Sequence, residues 1–440
     1  MKNKFGTAVT LGFALFAMFF GAGNLILPPF IGLKSGSEWF AAIAGFFTTG
    51  IISPFLGVLT VVLFGTSFTD LGRKVNPLIV TILALLIMLC IGPLVAIPRT
   101  AAATFEIGIK PILPQFNAVL FSIIFFVVVF FLSVSKSKIV DIIGNFLTPF
   151  LILSLGILVI MGLLNPTAIS QSTGITTQES FVFAFHEGYQ TLDVLASVIF
   201  AGIIISAAID KGFTNANDRF KITIAAGLIS MIALLFIYGG LIYLGAHSGY
   251  VMSENVSRTD LLLHISHAVM GKNGTVVISI AVALACLTTA IALSSAMGSF
   301  LEKFTNGKMG YKAGVLITCL VSGYFSVKSV DEIINYAVVI LGFVYPITFA
   351  LILTLLFFGK FIFSRAPFIS AVATSAVIAS LSVFEHFGWF PQSVEQINTW
   401  LPLSQHHLGW LLPSFVAFFI AAGFNSGRKN REEAIEVDSD

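Results

Sequence analysis

The sequence predicts an all-α polytopic membrane protein of about twelve transmembrane helices: two five-helix inverted repeats, with the first and sixth helices discontinuous, plus two extra helices. Three observations carry this. The 440 residues are 57% hydrophobic and only 10% charged, with a mean hydropathy of +0.98, whereas soluble domains carry roughly 25% charged residues. Apolar runs of the ~20 residues that a spanning helix needs recur along the whole chain. Two of them, the first and the sixth, are interrupted at mid-span by glycine and polar residues. Paired interruptions at matching positions of two halves point to a binding site between inverted repeats.

Taken in order, spans are expected over 6–32, 38–64, 76–100, 114–134, 138–164, 179–209, 219–246, 273–301, 312–328, 332–358, 367–388 and 406–424. The first five form one repeat (1–165) and the next five a second (175–360), followed by helices eleven and twelve within 361–425. The polar tail 426–440 is expected to be disordered, cytosol-facing chain. An even number of spans puts both termini on one side of the membrane. Of the 23 Lys and Arg residues, 17 then fall on that side and 6, Arg99 and Arg258 among them, on the other. The richer side is cytoplasmic, so both termini are expected inside. Met1–Phe5 leads into an apolar run too long for a signal-peptide core and without a small-x-small cleavage site, and is expected to stay as part of the first span.

The hydrophilic segment 246–272 carries Asp260, His264 and His267. The two histidines share a helical face, but without a clear third ligand an interfacial amphipathic helix is favoured over a metal site. Cys90, Cys286 and Cys319 sit inside apolar runs and read as buried small hydrophobes. A net charge of +2 suggests no nucleic-acid partner, and no obligate protein partner is evident beside the lipid bilayer.

The first interruption lies in FAMFFGAGNLILPP, residues 16–29. In hydrocarbon, backbone released from a helix is tolerated only where it is buried in protein or lines a cavity. Amides freed at Gly21, Ala22, Gly23 and Asn24 form a half-helix N-terminus, which favours a carboxylate. Close helix crossing is the other use of a glycine pair, but it does not explain Asn24 followed by Pro28 and Pro29. The second interruption, HEGYQTLD at 186–193, centres on Gln190, Thr191 and Asp193, and carbonyls freed there can accept from an ammonium. A carboxylate near mid-membrane is expensive and is a functional candidate by default. Asp193 could receive a substrate ammonium, accept a coupling proton or pair structurally with Arg99.

Span midpoints place a third feature at the same depth. The eighth span has Ala285-Cys286-Leu287-Thr288-Thr289 at its middle. The Ala285 carbonyl and the Thr288 and Thr289 hydroxyls, at i, i+3 and i+4, share one face. Hard, uncharged oxygens suit a desolvated alkali cation, although membrane threonines also bond back to the i−4 carbonyl. In the same layer Ile91, Leu94, Val95, Ile199 and Phe200 offer only apolar contact, which suits an aliphatic side chain. At about 0.8 kcal/mol per methylene such a pocket separates leucine from valine by only roughly tenfold. Pro93, Pro98 and Pro346 either shape a pathway or bend packed helices.

The block at 16–29 and IGPLVAIPRTAAATFE at 91–106 resemble the branched-chain amino acid:cation symporter family of bacteria, and the similarity in span number and size covers nearly the whole chain. That family is in turn distantly similar to LeuT-type transporters. The resemblance implies a multi-pass protein of the bacterial inner membrane that imports leucine, isoleucine and valine with Na+ by alternating access. On that pattern Gly21–Asn24 match the unwound part of helix 1, and Thr191 falls at the corresponding point of helix 6. Ala285, Thr288 and Thr289, with the carbonyls of Ala17 and Phe20, match the sodium site shared across the superfamily. Of a second sodium site Asn24 and Thr191 match two ligands, the seventh span offers Ser230 or Thr223, and Asp193 brings a carboxylate where a neutral group is usual. One cation per cycle is therefore expected. The resemblance implies no cofactor beyond Na+ as coupling ion, and coupling of the same substrates to H+ through a carboxylate such as Asp193 is the alternative.

Other classes fit poorly. The chain has no Walker-type run for ATP. Two asymmetric broken helices do not resemble a channel filter, and no metal-ligating His/Glu cluster or Ser/His pair lies at mid-depth for an intramembrane enzyme.

Overall fold

A computed structural model describes residues 4–134, 148–251, 257–404 and 408–437. The start of the expected fifth span, 138–147, lies outside the described residues. Among those described, all regular structure is helical. Two compact units are formed, one of Met1–Val58 with Ile87–Ala337, the other of Leu59–Leu86 with Val338–Asp440. The second, third and tenth spans each contribute residues to both units.

In the larger unit, α1 (Lys4–Phe19) stops at mid-span and α2 (Ala22–Ser35) resumes after Gly21, whose backbone is extended (φ −106°, ψ −168°). Helices α3 (Trp39–Phe47) and α4 (Ser53–Phe64) are joined through a π-helical turn, Thr48–Ile52. Helix α5 (Pro77–Leu89) runs into a second π-helical stretch, Cys90–Leu94. There Pro93 removes a main-chain donor and Gly92 leaves helical angles (φ −88°, ψ −120°), so α6 (Ala96–Ala103) restarts on a new heading. Helices α7 (Ala118–Ser133) and α8 (Thr148–Leu164) complete the first repeat.

The second repeat opens with α9 (Thr177–Tyr189), begun by a Thr176/Glu179 capping box. It breaks at Leu192, which takes a left-handed conformation (φ 69°), and resumes as α10 (Asp193–Asp210). A left-handed non-glycine residue costs about 1–3 kcal/mol and persists where its surroundings over-determine it. Helices α11 (Ala216–Ala246), α12 (Arg258–Met270), α13 (Lys272–Phe304), α14 (Tyr311–Phe325) and α15 (Val330–Phe358) follow. α12 is the helix expected within 246–272. Its His264 ring sits 3.1 Å from the Ser248 carbonyl and against the Tyr250 ring.

Phe16, Phe20 and Tyr238 stack in series at 5.2 and 5.5 Å in the core of this unit, while Ile232 and Leu320 project outward, as a lipid-facing surface requires. Arg258 ties four helices together: it donates to Asp331 at 3.1 Å, lies 3.9 Å from Glu187 and covers the Phe30 ring at 4.4 Å. Arg258→Met should lower stability by about 2–3 kcal/mol, short of the ~3–5 of a fully buried pair because both partners keep some contact with solvent. Thermal unfolding in detergent reads this. A Glu187→Gln/Arg258→Met double variant no more stable than the single one would exclude the pair as the cause.

In the smaller unit, α16 (Ala366–His386), the short α17 (Pro391–Trp400) and α18 (Leu411–Val437) surround a phenylalanine cluster in which Phe418 lies 5.0 Å from Phe358 and 5.3 Å from Phe368. Lys74 donates to the Gly359 carbonyl at 3.1 Å. α18 continues through 426–437, where disordered chain was expected. Beyond Gly427 that stretch has neither Gly nor Pro and is rich in Lys, Arg, Glu and Ala, so propensity extends a helix that the preceding apolar span has already nucleated.

Candidate functional site

The break in α1 frees carbonyls, and α13 meets them. In an unbroken helix the Gly21 amide would bond the Ala17 carbonyl; here it turns to Phe19 O at 2.8 Å. Ala17 O is left facing Thr288 Oγ1 at 3.2 Å and Thr289 Oγ1 at 3.3 Å, and Thr289 Oγ1 also lies 3.4 Å from Phe20 O. Thr288 Oγ1 is 2.9 Å from Ala285 O. All five oxygens named from the sequence are thus in one buried cluster. Oxygens held at about 2.4 Å from a hard cation and subtending roughly 75–90° stand at such separations from one another. Gly21 eases the approach, since a Cβ there would lie 3.2 Å from both Thr289 Oγ1 and its methyl carbon, a tight contact.

Beside the cluster is a small, partly open cavity. Gly21 and Asn24 of the first break face Thr191, Leu192 and Asp193 of the second across it, and Thr289 belongs to its wall as well as to the oxygen cluster. Ala96, Arg99 and Thr100, at i, i+3 and i+4 of α6, form another wall that the Pro93 kink turns inward. Asn24 Nδ2 donates to Asp193 Oδ2 at 2.5 Å and to the Tyr238 hydroxyl. Asp193 heads α10, where a helix dipole favours a carboxylate, and its amide donates to Thr191 Oγ1 at 3.3 Å. Arg99 donates to the carbonyls of Gln190 at 2.8 Å and Thr191 at 3.5 Å.

One expectation is corrected. Arg99 does not belong to an outer loop: it is 3% exposed and sits between the two breaks. Gln190 lies off the cavity wall and contributes its carbonyl to Arg99. Gly23 also lies off the wall. A Cβ there would be 2.6 Å from Arg99 Nη2, so its missing side chain makes room for the guanidinium. Ala22 opens α2. Among the apolar candidates Ile91 and Phe200 line the cavity, whereas Leu94, Val95 and Ile199 do not; Met18, Phe19 and Leu293 take their place. What α11 brings to Asn24 is Tyr238. Ser230 and Thr223 lie roughly 12 and 22 Å further along that helix at 1.5 Å per residue, so neither completes a second cation site there.

A family model described as "branched-chain amino acid transport protein" matches residues 5–426. The chain belongs to this family. A Staphylococcus aureus (strain USA300) protein named as a branched-chain amino acid carrier is 35% identical over 426 residues, covering 92% of this chain and 94% of its own. Among solved structures, Mhp1, a nucleobase-cation-symport-1 family transporter with bromovinylhydantoin bound, superposes with a TM-score of 0.62 at 15% identity, over 95% of this chain and 92% of its own. MhsT in complex with L-phenylalanine gives a TM-score of 0.54 at 13% identity, over 93% and 97%. The fold is thus of the LeuT type, and this family member is a multi-pass membrane carrier rather than an enzyme.

Proposed function

We propose that the chain is a secondary active symporter that imports leucine, isoleucine and valine together with Na+ by alternating access. The observation that carries the sodium reading is the buried cluster of Ala17, Phe20 and Ala285 carbonyls with the Thr288 and Thr289 hydroxyls. Every donor is a hard, uncharged oxygen, which favours a monovalent cation over a divalent one. Gly21 and Thr289 border both the cluster and the cavity, so an ion that draws Thr289 toward Phe20 O also organises the cavity wall. Coupling of this kind is reciprocal: substrate raises sodium affinity by the same factor.

The cavity supports an amino acid as cargo, with Asp193 for the ammonium, the N-terminus of α2 toward the carboxylate, and Ile91, Phe19 and Phe200 around an aliphatic side chain. The name of the Staphylococcus relative and the ligand of MhsT agree with that class. The Lys/Arg asymmetry supports insertion in the bacterial inner membrane with both termini cytoplasmic.

Proteoliposomes with separately imposed gradients test the reading. An inward sodium gradient at equal pH should drive leucine uptake, and a pH gradient without sodium should not. Uptake driven by the pH gradient alone would favour the second reading, proton coupling, which draws on the buried Asp193 carboxylate held at 2.5 Å by Asn24. We further expect isoleucine and valine to compete with labelled leucine within roughly tenfold of one another, and lysine and glutamate not to compete, since Phe19, Ile91 and Phe200 around the side chain offer a second charge no partner. Equal competition by lysine would rule out the assigned pocket.

A further inference from the structure

We propose that Ala196 and Phe200 of α10 set the length of side chain that the carrier accepts, Ala196 by leaving space and Phe200 by closing it. This deepens the reading above and rests on its placement of the substrate ammonium at Asp193. Asp193, Ala196 and Phe200 all line the cavity. At i, i+3 and i+7 they share one face of α10, so a single helical stripe leads from a carboxylate past a methyl group to a phenyl ring. At 1.5 Å per residue Ala196 stands about 4.5 Å, and Phe200 about 10 Å, along the axis from Asp193. Helical side chains tilt toward the N-terminus, so Phe200 leans back toward the Ala196 turn. A leucine side chain, three staggered C–C bonds, reaches roughly 4 Å from its Cα. With its ammonium at Asp193, it lays its branched end beside Ala196 and stops short of Phe200.

Phe200 makes a firm stop. It is fully buried, and its ring packs 5.6 Å from that of Phe19 at a tilt of 60°. Phe19 is itself buried, at the last position of α1 and on the cavity wall. Tilted aromatic pairs at this separation are favourable, and a close-packed interior leaves neither ring a void to swing into. Ala196 has the opposite character. It too is buried, so the space that its single methyl leaves lies inside the protein and not on the lipid face. Each carbon added there would enter the cavity where the substrate's branch belongs.

Competition against labelled leucine, on purified full-length protein in sodium buffer at constant pH, tests this with alanine, valine, leucine and phenylalanine. Wild type should prefer leucine to alanine and should not take phenylalanine. Ala196→Val adds two carbons to the stripe. It should weaken leucine by roughly ten- to a hundredfold and alanine by less than about threefold, so the preference for leucine shrinks. Phe200→Leu should lengthen the pocket instead: phenylalanine becomes a competitor within about tenfold of leucine, and alanine stays within about threefold of its wild-type affinity. Phe200→Leu keeps an apolar residue on that turn and carries the test if Ala196→Val does not fold. A purely structural role would move all four ligands alike. A ranking left unchanged by a folded variant, through equal weakening or through no effect, therefore overturns the assignment for that residue, and wild type that takes phenylalanine as well as leucine overturns it for both. Wild-type protein that binds none of the four overturns the transport reading instead, so the two failures are told apart.

Discussion

Thr289→Val should raise the sodium concentration for half-maximal leucine uptake by roughly ten- to a hundredfold, with insertion and folding retained. Valine matches threonine in volume, so the substitution removes one oxygen and leaves the packing of α13 on α1 in place. Thr289 Oγ1 stands 3.3 Å from Ala17 O and 3.4 Å from Phe20 O, within a cluster shut off from water. A contact to a charged species in such a place is worth about 1.5–3 kcal/mol, which gives the stated range. Thr288→Val should act in the same direction, and the double variant should be nearly insensitive to sodium. A second readout needs no transport. An ion that binds only the folded protein stabilises it by RT ln(1 + [L]/Kd), so sodium should raise the thermal midpoint of the wild type and not of the double variant. Unaltered sodium dependence in both single variants would remove the cluster from the coupling mechanism.

Much of this was legible from the sequence because hydrocarbon makes certain residues costly. Gly21 to Asn24 and Gln190 to Asp193 stand out only because a spanning helix has no reason to hold them, and the breaks fall at Phe20–Gly21 and at Gln190–Leu192. The oxygen cluster followed from depth: Thr288 and Thr289 share a level with the first break, and helical spacing placed them on one face. Hydropathy carries no such information for Arg99. A charge near the end of an apolar run looks like a loop residue, and only the kink at Gly92 and Pro93 turns α6 so that Arg99 reaches the second break. Tyr238 was missed for a related reason. The rotation of α11 is set by tertiary packing, and nothing in its sequence marks which hydroxyl meets Asn24. For Gly23 the need for a small residue could be read, but the group that fills the vacated space could not.

Asp193→Asn should lower leucine affinity by about ten- to more than a hundredfold while the sodium requirement persists. Asparagine keeps the shape and can still accept from Asn24 Nδ2 through its carbonyl oxygen, so the variant removes charge with little change in geometry. Losing a charged contact to the substrate ammonium accounts for about 1.5–3 kcal/mol. The ligand pattern should follow the ammonium: 3-methylbutylamine, which lacks the carboxylate, weakens with leucine, and 4-methylpentanoate, which lacks the ammonium, does not, because its carboxylate no longer meets a negative neighbour. Proton coupling through this group leads elsewhere. In that case the variant loses all response to an imposed pH gradient yet still exchanges labelled leucine across the membrane, since exchange needs no net proton movement. Normal leucine affinity with normal ion dependence would leave Asp193 a structural partner of Asn24 at the head of α10, and the ammonium would then have to be met by carbonyls of the second break, where Arg99 already sits.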